Sequence, residues 1–123
     1  MKSQTLLIFI TILSSMLLTS CDSDLCTNDV VEKLDSPDNS KSAVIFIRAC
    51  GATTDESYQL SILEEGEDLT NQKGNIYISK GNFEVDWSNN NKIHVSFYSS
   101  EVFKQETQFQ DVEIEYEYKK NIE

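Results

Sequence analysis

Phe83-Glu84-Val85-Asp86-Trp87-Ser88-Asn89-Asn90-Asn91-Lys92-Ile93-His94-Val95-Ser96-Phe97 alternates large apolar and polar residues on both sides of an asparagine run. Side chains of an extended strand point to opposite faces in turn, so this period of two marks strands with one wet face. A three-residue loop over 89–91 sets Ser88 opposite Lys92, Trp87 opposite Ile93, Asp86 opposite His94 and Val85 opposite Val95. A two-residue loop would set Val85 against His94 and mix the faces. Because a one-residue slip moves every side chain to the other face, the three-residue loop is expected. Asparagine tolerates the left-handed backbone angles that such loops use.

The same signal continues outward from this hairpin. Val112, Ile114, Tyr116 and Tyr118 alternate with Glu113, Glu115 and Glu117, while Tyr58, Leu60 and Ile62 alternate with Gln59 and Ser61. Shorter candidates lie at 30–34, 76–78, 102–104 and 107–109. Residues 43–50 are apolar on both alternate faces, as in a strand covered on both sides. Arg48, the one arginine, lies in that stretch and is expected to pair with a carboxylate, because an unpaired buried charge is costly. Turn-forming residues separate these runs at 35–40, 51–57, 64–74 and 81–82. No stretch after Cys21 has a helical period. The expected fold is all-β, a small antiparallel sheet arranged as a sandwich or partly closed barrel, with one domain over residues 26–123.

The N-terminus reads differently. Lys2 precedes an apolar run from Thr5 to Leu17, which is too short for a spanning helix of roughly 20 residues and has the form of a signal peptide. Leu18-Thr19-Ser20-Cys21 resembles a bacterial lipobox. That resemblance implies cleavage after residue 20, lipid attachment at Cys21 and a tether over 21–25. The chain is then held on a bacterial membrane facing the periplasm or the cell exterior. Asp22, directly after the modified cysteine, resembles an inner-membrane retention signal.

Charge and cysteine usage bound the partners. Without residues 1–20 the chain keeps nine basic residues against 21 acidic ones, a net charge of −12. Such a balance disfavours nucleic acid and anionic headgroups as direct partners and suits a cationic protein. With Cys21 assigned to lipid, Cys26 and Cys50 remain, and an oxidising compartment favours a disulfide between them. The competing reading is a free, nucleophilic Cys50 with His94 as its base.

Ser36-Pro37-Asp38 before a strand, and Arg48-Ala49-Cys50-Gly51-Ala52-Thr53-Thr54 followed by Ser61-Ile62-Leu63 and Gly74-Asn75-Ile76-Tyr77, resemble a group of uncharacterised small bacterial lipoproteins. The likeness spans roughly residues 26–102, and Cys-Gly-Ala-Thr-Thr is its most specific part. It implies an exported or lipid-anchored single domain and carries over no activity. Asn39 stands where that group usually has glycine, a mild departure because asparagine also accepts left-handed angles. A Ser-Pro-Asp turn also marks propeller blades, but one copy cannot build a propeller.

Three places carry candidate chemistry. Gly51, Thr53 and Thr54 form either a binding loop or a small connection pinned by the disulfide. Asp86 and His94 form a cross-strand pair on the wet face. Glu113, Glu115 and Glu117 line one side of the last strand, where they keep an edge from pairing with another chain or dock a cationic partner. Calcium wants six to eight oxygens from a shaped loop, which the sequence lacks, so no metal and no cofactor are expected. Catalytic signatures such as Gly-x-Ser-x-Gly or His-Glu-x-x-His are missing. The expected role is therefore a non-catalytic binding module, such as an inhibitor or immunity-type lipoprotein meeting a basic envelope protein. Alternatives are a passive envelope or stress-related lipoprotein and a hydrolase built on two carboxylates.

Overall fold

The computed structural model describes residues 25–52, 54–99 and 101–120. The expected leader, Cys21 as the expected lipid site, Asp22 in the expected tether and Thr53 lie outside the described residues. Among the described residues no helix is long and apolar enough to cross a membrane.

Among the described residues nine strands form two sheets: β1 (Cys26–Asp35), β2 (Lys41–Cys50), β3 (Ser57–Glu64), β4 (Tyr77–Ser79), β5 (Phe83–Asn89), β6 (Lys92–Phe97), β7 (Val102–Gln105), β8 (Gln108–Phe109) and β9 (Val112–Tyr118). The first sheet has the order β1-β2-β3-β4-β7 and the second β5-β6-β9-β8. The all-β expectation holds, with two packed sheets rather than a closed barrel. One pair departs from it: β6 and β9 run parallel, from Lys92 opposite Glu113 to Phe97 opposite Tyr118. The physical reason is the return path. After β6 the chain crosses to the first sheet as β7 and comes back through β8, which lets β9 enter in the same direction as β6.

The core lies between the sheets. Ala43, Ile45, Leu60, Ile62, Ile76 and Tyr77 meet Phe83, Val85, Ile93, Val95, Val112 and Ile114. Except for the adjacent Ile76 and Tyr77, these are apolar members of the alternations read from the sequence. Trp87 packs at the margin and donates its indole N–H to the Leu34 carbonyl at 2.9 Å, tying β5 to β1. Lys41 spans the same end of the sandwich, its buried stem ending 3.3 Å from Asp111 in the β8–β9 turn.

The β5–β6 hairpin keeps the expected facing of Trp87 with Ile93, Asp86 with His94 and Val85 with Val95. Its tip differs. Asn89, not Ser88, faces Lys92, and Ser88 is the extra residue of a bulge. No asparagine of the loop is left-handed. Instead the Asn89 side chain accepts the Asn91 N–H at 2.8 Å, an Asx-turn that closes the loop with ordinary angles. The left-handed residues are Asn39 and Gln110, each in another turn. Asn39, at φ 58°, thus uses the tolerance for which it was noted.

β2 lies between β1 and β3 and is buried on both faces, as its sequence requires. Val44 and Phe46 turn away from the core yet are essentially inaccessible. Residues 65–76 fold back over that outer face. Asn28 donates to the carbonyls of Thr70 and Gln72, Gly74 donates to the Gln59 side chain at 2.7 Å, and Asn75 bonds both Ile62 backbone groups. Arg48 sits beneath this segment, and here the expectation of a carboxylate is corrected. Its Nη1 donates to the side-chain oxygens of Asn28 at 2.7 Å and Asn71 at 2.9 Å, while its buried Nε has no partner. β1 and the loop each supply an amide where a carboxylate was expected.

Candidate functional site

The wet face of the second sheet is built by strict alternation. Each apolar residue that β5, β6 and β9 send inward leaves its polar neighbours facing out. Register then sets Asp86, His94 and Glu115 in one row, with Glu84, Ser96 and Glu117 in the next. β6 thus forms a central column holding Lys92 and His94, flanked by Glu84 and Asp86 on one side and Glu113, Glu115 and Glu117 on the other.

The Lys92 and His94 side chains of that column lean toward β9. Lys92 lies 2.7 Å from Glu115 and 3.9 Å from Glu113. His94 lies 3.0 Å from Glu117 through Nε2 and 4.0 Å from Glu115 through Nδ1. Asp86 does face His94 in register, but the ring's ion-pair contacts go to β9. The hydrogen bond from Lys92, helped by its charge, lowers the Glu115 pKa. Glu115, followed by Glu113, raises the Lys92 pKa in return. Among the described residues no cation lies in ion-pair range of Glu84 or Asp86.

β9 is not the open edge expected from its glutamates, because it lies between β6 and β8. β8 pairs only with its first residues, and the Ile114 N–H to Thr107 bond is the last on that side. From Tyr116 upward the strand has an uncovered flank. The glutamates protect that flank only in part, since they point out of the sheet rather than along it.

The loop after Cys50 is a pinned connection. Cys26 and Cys50 are bonded and face each other directly across β1 and β2, with Cα atoms 3.9 Å apart. The bond also removes Cys50 as a free nucleophile. Gly51 adopts φ 84°, and the Thr54 hydroxyl donates to the Cys50 carbonyl at 2.6 Å. Thr54 therefore spends its donor on its own loop. His94 lies on the other sheet, on a face directed away from this loop.

A cleft of about 470 Å³ opens between β3 and the 65–76 segment, lined by Ser61 and Leu63 on one wall and Glu67, Asp68, Leu69 and Lys73 on the other. Neither the cleft nor the segment covering β2 was anticipated from sequence. The signal was present in Gly74-Asn75: a Cβ on residue 74 would stand 2.8 Å from the Leu60 carbonyl oxygen, so glycine marks a close backbone approach. Both acids of the cleft belong to one wall, whereas two-carboxylate hydrolysis needs groups flanking the scissile bond. Among the described residues no three His, Cys, Asp or Glu side chains are arranged to hold a metal ion.

Comparison with protein-family models, with curated proteins and with solved structures finds no match to this chain.

Proposed function

We propose that this chain is a membrane-anchored bacterial lipoprotein that acts as a non-catalytic binding module for a cationic protein of the cell envelope, in the manner of an inhibitor or immunity protein. The observation that carries this reading is the wet face of the second sheet. There five carboxylates on three adjacent strands surround Lys92 and His94, and among the described residues no cation lies in ion-pair range of Glu84 or Asp86. Such a field steers and orients a basic partner more than it adds raw affinity. A flat sheet bearing paired and unpaired acids suits a protein surface better than a small ligand, which needs a concave site. Lipidation at Cys21 would keep the module where exported partners are met.

The test is crosslinking in intact membranes followed by purification of the acylated chain. A basic protein is expected to co-purify with the native chain and to be lost when Glu113, Glu115 and Glu117 are all replaced by lysine. Thermal stability should change little, because exposed ion pairs contribute about 0–1 kcal/mol each. Capture that is indifferent to the triple reversal and to salt would remove the support for this reading.

A further inference from the structure

Strand direction sorts the molecule into two unlike ends. One end gathers the start of β1 at Cys26, residues 51–52, 54–56, 80–82, 98–99 and 101, and Lys119 and Lys120 after β9. The other gathers the 36–40 turn, the 65–76 segment and the asparagine hairpin tip, where the Asp38 N–H meets the Asn90 side chain. Among the described residues five large apolar side chains are exposed, and three of them, Leu25 (68%), Phe103 (67%) and Tyr118 (55%), belong to the first end. Phe103 is set out from the sheet by the irregular register between β4 and β7. Tyr118 continues an aromatic series that runs from buried Tyr77 through Phe97 to the surface, its ring 5.5 Å from that of Phe97.

Charge divides in the same sense. At the first end Lys80, Lys119 and Lys120 offset Asp55, Glu56 and Glu101, and Lys80 lies within 3.8 Å of Asp55 and 3.7 Å of Glu101. Among the described residues the opposite end carries Asp35, Asp38, Glu64, Glu65, Glu67, Asp68 and Asp111 against Lys41, Lys73 and Lys92. The strongly negative net charge is thus unevenly spread, and the end where the chain enters the fold is the end least repelled by anionic headgroups.

We infer that the end bearing Leu25, Phe103 and Tyr118 rests on the membrane surface, so that the strands stand away from the bilayer and the acidic end points outward. This inference rests on the proposed anchoring through Cys21. Four residues from Cys21 to Leu25 reach at most about 14 Å, so the lipid cannot be far from this end. Tyrosine is favoured at the membrane–water boundary, where its ring meets apolar matter and its hydroxyl stays wet. Lysine extends an apolar stem toward the acyl region and keeps its ammonium among the headgroups. The glutamate-rich face of the second sheet then stands beside the membrane, open to a partner approaching in its plane.

The acylated full chain, reconstituted into phosphatidylcholine–phosphatidylglycerol vesicles with brominated acyl chains, tests this by fluorescence quenching. Phe103→Trp, Tyr118→Trp and Leu69→Trp are compared, with Trp87 near the far end as a constant background. The added emission at 103 and 118 should fall by half or more, and that at 69 should be unchanged. If intact mass confirms acyl groups on Cys21 and the 103 and 118 probes are not quenched, or 69 is quenched as strongly, the orientation is wrong and the anchoring stands. An intact mass without acyl groups overturns both.

Discussion

Asp38 organises the first turn through a single oxygen. Its Oδ1 accepts from the Ser36 hydroxyl at 2.8 Å, the Ser40 N–H at 3.0 Å and the Ser40 hydroxyl at 2.7 Å. Hydrogen bonds from Ser40, then Ser36, hold its pKa down at about 2, from an ordinary 3.8. The folded state therefore prefers the carboxylate, and this contribution to stability is complete above pH 3.8 and disappears as pH falls through about 2. The native chain should exceed Asp38→Asn in thermal midpoint by a constant margin above that window, and the margin should close within it. A margin that persists at the acid limit would exclude the mechanism. Ser-Pro-Asp was legible as a turn because each residue type carries its own geometric reason. The partners of Arg48 were not, because sequence reveals that a cation is buried before it reveals which distant loop will cover it.

At the scale of elements, alternation located the hairpin and β9 correctly, since core-facing positions tolerate no slip. It did not reveal the order of strands, which depends on long-range pairing, or the bulge at Ser88, which depends on how Asn89 closes its own turn. The 65–76 segment is the clearest case, because it holds the outer face of the first sheet with polar contacts that leave no hydrophobic period. Gly74→Ala tests this element. The added methyl would meet the Leu60 carbonyl at 2.8 Å, and backbone on both sides cannot give way cheaply. A loss of about 1–3 kcal/mol is expected. It should be accompanied by faster amide exchange over 65–76 while β5, β6 and β9 keep their protection. Uniform loss of protection throughout both sheets would show that the segment is not a separable cover.

For the whole molecule, the one covalent link joins the first strand to the end of the second. Replacing Cys26 and Cys50 with alanine should cost about 3.5 kcal/mol by the chain-entropy relation for a loop of this length. For a domain of this size that lowers the thermal midpoint by about 15–25 °C. A change of only a degree or two under calorimetry would mean that removing the link leaves the unfolded chain little freer than before. The glutamates of β9, read from sequence as the guard of an edge or a dock for a cationic partner, became legible as part of a broad surface only once β5, β6 and β9 were known to be neighbours. The pairing of β6 with β9 also has a temporal side. Residues 98–111 must be made before the flank of β6 can be covered, so the second sheet is finished by the strand synthesised latest. Until then a shortened chain would display the bare hydrogen-bonding ladder of β6, an edge to which another strand could add.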